Sequence, residues 1–135
     1  MANSYAVQII SDGPRNAIVK LTGVLDTSNL AQSLAVDLST LSPIVPGTNI
    51  TKPAAVAIHH LDYSIADQLE VQLTWDATAQ VAILPLAGRG RMSFKDFGGL
   101  QNNAGAGKTG NINITTTGWA SGIQVFSVVL EMVKQ

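Results

Sequence analysis

From Leu69 to Asp76 the side chains alternate without a break. Leu69, Val71, Leu73 and Trp75 fall on one face of an extended chain, and Glu70, Gln72, Thr74 and Asp76 fall on the other. A helix has a period of 3.6 residues and would scatter those apolar side chains around its circumference, so the segment predicts a half-buried strand. Such a strand is stable only beside other strands and over a core. Shorter runs repeat the pattern: Val19 and Leu21 oppose Lys20 and Thr22, and Ile112 and Ile114 oppose Asn111, Asn113 and Thr115. Between Ile123 and Lys134, Phe126, Val128, Leu130 and Met132 share one face while Val125 and Val129 make the other partly apolar, which predicts a central or doubly covered strand. Val81 to Leu86 is apolar on both faces. Pro85 has no N–H to give a ladder, which places it at an edge or strand end that something should cover.

Asp26 to Leu41 is the ambiguous stretch. Leu30, Leu34, Leu38 and Leu41 fit a helix face that Asp26, Thr27 or Ser28 would cap, but Leu34, Val36 and Leu38 also alternate against Ser33, Ala35, Asp37 and Ser39. Strand is the preferred reading, with a short helix as the alternative. Turn chemistry separates the runs at Asp12-Gly13-Pro14, from Ser42-Pro43 to Gly47, at Asp76-Ala77-Thr78, and along the Gly/Asn-rich tract 98–110. Short strands at this spacing with no long helix predict an all-β single domain over residues 1–135, an antiparallel β-sandwich or jelly-roll-like barrel. A chain of this length buries roughly two-thirds of its unfolded surface, so the absence of cysteine is no obstacle to a core.

Charge narrows the function. Eight basic and nine acidic residues give a net charge of -1, so no whole-chain field draws in nucleic acid or an anionic membrane. Only 13% of residues are charged against 46% hydrophobic, so a homo-oligomer or another partner is expected to cover part of the surface; a surface solvated by Ser, Thr, Asn and Gln would look the same. Met1 to Ser4 lacks the basic start of a signal peptide, and no apolar run approaches the ~18 residues of a membrane span, so a soluble product not exported by the ordinary route is expected.

No motif carries chemistry. Gly105-Ala106-Gly107-Lys108-Thr109 resembles the end of a phosphate-binding loop, but Asn102 stands where the motif wants Gly or Ala. A strand-like run also follows, where a helix should aim its amides at phosphate. His59 and His60 are adjacent on an expected strand, so they should point to opposite faces and not share a metal ion. There is no Gly-x-Ser-x-Gly elbow and no thiol nucleophile. Asp62, Asp67 and Asp76 fall at expected strand ends, where Asp favours turns; with Asp96 they are weighed and set aside as glycosidase carboxylates. No catalytic residue, cofactor or metal is therefore expected. Arg89 and Arg91 place two guanidinium groups on one side of an extended segment, suited to a carboxylate-bearing partner or phosphate, or to an ordinary salt-bridged edge. Trp75 is expected in the core, and Trp119 as an exposed anchor.

Four segments carry a family resemblance: Lys20-Leu21-Thr22-Gly23-Val24-Leu25-Asp26, Val71-Gln72-Leu73-Thr74-Trp75-Asp76, Phe97-Gly98-Gly99-Leu100-Gln101-Asn102-Asn103-Ala104-Gly105-Ala106-Gly107, and Val128-Val129-Leu130-Glu131-Met132-Val133-Lys134. Together they resemble a family of small virion-associated proteins of tailed bacteriophages, over nearly the whole chain. The resemblance implies a structural role, first as a capsid decoration (cement) protein on the virion surface, bound to the major capsid protein, and next as a tail, neck or tail-tube component. From a different class, a carbohydrate-binding sandwich is the alternative, weakened by an aromatic content of 5%. The segments expected to reach a neighbour are the 98–110 loop, the Pro43 to Pro53 connection and the first few residues. The candidate interface residues are Arg89, Arg91, Asn102, Asn103, Lys108 and Trp119.

Overall fold

A computed structural model describes residues 3–13, 15–30, 33–41 and 55–134. The described chain forms β1 (Ser4–Asp12), β2 (Asn16–Leu25), β3 (Ser33–Val36), β4 (Val56–Ile65), β5 (Glu70–Trp75), β6 (Val81–Leu86), β7 (Arg89–Ser93), β8 (Ile112–Thr117) and β9 (Gln124–Lys134). They make a five-stranded sheet, ordered β1-β2-β9-β4-β7, and a four-stranded sheet, ordered β3-β8-β5-β6. Every pairing between named strands is antiparallel. The expected all-β sandwich is what the chain forms. Among the described residues the two sheets do not close on each other, so the barrel half of that expectation is corrected to an open sandwich.

Alternation builds the core. On β2 every second residue from Ala17 to Leu25 is buried, and β5 buries Val71, Leu73 and Trp75. β9 is central, in register with β2 from Asn16↔Val133 to Leu25↔Gln124 and with β4 along its other side. Its Phe126, Val128, Leu130 and Met132 are buried, each worth about 1.5–3 kcal/mol relative to exposure. The opposite face is only partly covered: Val125 is 50% exposed, while Val129 is half-buried. β6 is the edge strand that Pro85 required.

Of the four register shifts in the described sheets, those on β3 and β4 alter the side-chain directions expected from the sequence. On β3 the register shifts between Leu34 and Val36, so Ala35 and Val36 are both buried while Leu34 is 43% exposed. The strand stops at Val36 and a 3-10 turn, Leu38–Thr40, follows, so the strand reading holds for Leu34 and Val36 while Leu38 opens a short helical turn. The 42–54 stretch, with its expected turn and the Pro43 to Pro53 connection, lies outside the described residues. On β4 the register shifts between Ile58 and His60 against β9, which inserts His59 as an extra residue.

Candidate interaction surface

The residues singled out from the sequence do not converge. Arg89 and Arg91 are exposed on the edge strand β7, opposite Ser64 and Asp62, and Arg91 Nε stands 3.4 Å from the Asp62 carboxylate. Asp62 is therefore mid-strand and paired, not at the strand end where Asp was expected. Both partners are well exposed, so this pair contributes at most about 1 kcal/mol.

Asn102, Asn103 and Lys108 ride on the long loop at one end of the sandwich. The loop is pinned rather than free. Leu100 exchanges both backbone hydrogen bonds with Ile58, and Thr78 N–H donates to the Ala106 carbonyl. Asn102 Oδ1 accepts from Ala104 N–H at 2.9 Å, while Asn103 and Lys108 are exposed. The strongest anchor is Asp76, whose carboxylate accepts from Gln80 Nε2 at 2.8 Å, Thr109 Oγ1 at 2.8 Å and Asn113 Nδ2 at 3.0 Å. The Gln80 and then the Thr109 hydrogen bonds hold its carboxyl below the usual aspartate range. Thr109 and Lys108 thus belong to a turn that ties β5 to β8, and strand β8 follows.

Trp119 lies at the opposite end, beside the β4–β5 turn. It is half-buried against the core, its indole N–H donates to the Gly122 carbonyl at 3.0 Å, and its backbone N–H donates to Asn29 Oδ1. The neighbouring Gly118 has φ 90°, and a Cβ there would stand 2.2 Å from the Gln68 carbonyl oxygen. Trp119 is a strut of this corner, in contrast to the expected exposed anchor.

The β4 bulge corrects the expectation for the histidines. With His59 inserted, both residues line one polar cleft together with Lys95 and Glu131. Both are half-buried, and His60 Nδ1 is enclosed with no hydrogen-bond partner. Among the described residues no three His, Asp or Glu side chains gather as metal ligands would.

A different surface concentrates exposed apolar side chains. Tyr5, Val7 and Ile9 sit opposite Gly23, Leu21 and Val19 of β2 and point to the inner side of their sheet. Val7 and Ile9 are nevertheless 43% and 39% exposed, and among the described residues β3 is the last strand of the second sheet on this side. The result is an apolar cleft of about 310 Å³ between β1 and β3, lined by Val7, Ile9, Leu34 and Leu41, with Asp37 as the one charged lining residue among those described. At one end the Tyr5 hydroxyl donates to the Leu34 carbonyl at 3.0 Å. Burial pushes that phenol's pKa well up, so it stays a donor. Alternation at Tyr5, Val7 and Ile9 is present in the sequence, but how far Val7 and Ile9 stay exposed depends on how the two sheets are layered. Compared with known proteins, the chain matches no family model and no curated sequence.

Proposed function

We propose that the chain is a non-catalytic structural protein that works by assembly, and that its place is on the virion of a tailed phage as a capsid decoration protein contacting the major capsid protein. The observation that carries the assembly reading is the apolar cleft beside β3, into which Val7 and Ile9, 43% and 39% exposed, both open. Contiguous exposed apolar surface of this kind marks an interaction site more often than an accident of packing. Low charge and the sequence resemblance described above support the virion setting. Repetition over a symmetric shell turns modest contacts into firm attachment.

The carbohydrate-binding alternative is disfavoured by the aromatic residues. Among the aromatic side chains described, Trp75 and Phe126 are buried and Tyr5, Tyr63, Phe94 and Trp119 pack against the core. Quantitative mass spectrometry of purified virions tests the proposal. Many copies per particle are expected for a decoration protein. A few copies would shift the role to tail or neck, and absence from particles would reject a virion role altogether.

A further inference from the structure

We propose that the polar cleft built around the β4 bulge is a binding site for a compact oxyanion, a phosphate-like or carboxylate group. The inference goes beyond the assembly reading and does not rest on it, since this cleft and the apolar cleft beside β3 share no lining residue.

Four segments far apart in sequence meet there: Asn16 at the start of β2, His59 and His60 on β4, Lys95 just after β7, and Glu131 near the end of β9. The bulge is what brings the second imidazole in. In an unbroken strand His59 and His60 would face opposite sides of the sheet. Instead His60 stands opposite Glu131 and His59 is the extra residue, re-aimed as bulges re-aim side chains beside functional sites. The insertion is pinned on both sides. Leu100 exchanges two backbone hydrogen bonds with Ile58, and the His59 carbonyl accepts from Phe94 N–H at 2.8 Å. Gly99 lies against the His59 ring, so closely that a Cβ there would stand 2.7 Å from Cδ2. The segment after β7 thus holds His59 in place before any ligand arrives, which spares the cost of ordering it on binding.

The lining selects the ligand. Lys95, Asn16 and the two imidazoles supply N–H donors from four positions around one space. His60 Nδ1 is enclosed without a hydrogen-bond partner, and among the described residues neither Lys95 nor Glu131 is in an ion pair. As an Nδ1–H tautomer or as imidazolium, His60 needs an acceptor, and an oxyanion provides one. A metal ion is a poorer match, because no three His, Asp or Glu side chains gather among the described residues. The volume is about 180 Å³, below the roughly 300 Å³ at which pockets for drug-sized ligands begin, and suits a single phosphate or carboxylate group with part of its hydration. Glu131 opposes the ligand. Exposed on β9, its carboxylate competes with an incoming anion for the same donors, so it limits affinity. The other charges nearby are Asp96, exposed next to Lys95, and Asp62, two residues along β4 and paired with Arg91. Protonation of either imidazole adds a donor and a positive charge, so binding strengthens with acidity.

The chain has two histidines, so the Cε1–H proton signal of each can be followed by NMR, with His59→Gln assigning them. Sulfate, a dianion throughout the neutral range, is the first probe, and acetate is the carboxylate probe. Titrated into the full chain at constant ionic strength and about pH 6, at least one of them should move both signals along a saturating curve, and its affinity should fall at about pH 8. Tighter sulfate assigns the site to a phosphate-type group, tighter acetate to a carboxylate. Lys95→Gln should weaken binding roughly two- to fivefold and Glu131→Gln should strengthen it by a similar factor, the scale of exposed charge pairs. Arg89→Gln, which removes an exposed guanidinium elsewhere on the same sheet, should leave it unchanged, with melting curves establishing that each variant is folded. Shifts that grow without saturation for both anions would overturn the proposal and leave an ordered water as the partner of His60 Nδ1. So would an affinity that Lys95→Gln and Glu131→Gln leave unaltered, or that Arg89→Gln lowers as much as Lys95→Gln does.

Discussion

Lys134 illustrates how a single residue closes this fold. Its side chain is fully buried at the end of β9, where the ammonium pairs with the Asp12 carboxylate and donates to the Gly13 carbonyl at 2.6 Å. Removing one member of a buried pair strands the other, so Asp12→Ala should cost about 3 kcal/mol or more in urea denaturation. Replacing both partners with apolar residues of similar volume, Asp12→Leu with Lys134→Met, should recover most of that loss. Gly23 is constrained by packing. A Cβ there would fall 2.3 Å from the buried ring of Phe126, which also lies 6.4 Å from the ring of Tyr5. Gly23→Ala should therefore destabilise by about 1–3 kcal/mol through overpacking, and Phe126→Leu in the same chain should relieve part of the penalty, so that the two changes are non-additive in thermal melts.

At the scale of elements, the 98–110 loop depends on Asp76. The carboxyl's folded pKa is depressed by its hydrogen bonds to Gln80 and Thr109. Its contribution is thus fully present above the ordinary aspartate value and is lost as pH falls through the lower folded value. Asp76→Asn should cost about 1 kcal/mol near neutrality and flatten the acid side of the urea midpoint against pH, with the difference from wild type vanishing in strong acid. The elements themselves were unequally legible. β2, β5 and β9 could be read from alternation because each keeps strict period two across its length. β3 and the His59-His60 pair could not, since a bulge is set by the register of the partner strand, and one inserted residue reverses every later side chain. For the same reason the candidate surface was only half visible. The apolar residues of β1 are in the sequence, but their exposure is a property of the unequal sheets. Asn102, Asn103, Lys108 and Trp119 were plausible anchors by composition, yet the contacts that hold their segments are distant in sequence: Ile58 with Leu100, Thr78 with Ala106, Asn29 with Trp119.

At the scale of the whole molecule, the strand order puts long-range pairing at the centre. β9 lies between β2 and β4 and supplies four buried apolar residues to the core, so a chain ending at Gly122 should show no cooperative unfolding transition by circular dichroism, whereas the intact chain should show one. Refolding of the intact chain should fall in the milliseconds-to-seconds range typical of sandwiches whose strands pair across long separations. The same arrangement governs biosynthesis. The ribosome finishes β4 at residue 65 and β9 at residue 134, and at 5–20 residues per second the 69 residues between them (134 − 65) take roughly 3–14 s. Throughout that interval the nascent polypeptide holds two strands whose shared neighbour has not yet been made, and the temptation to pair wrongly is greatest then.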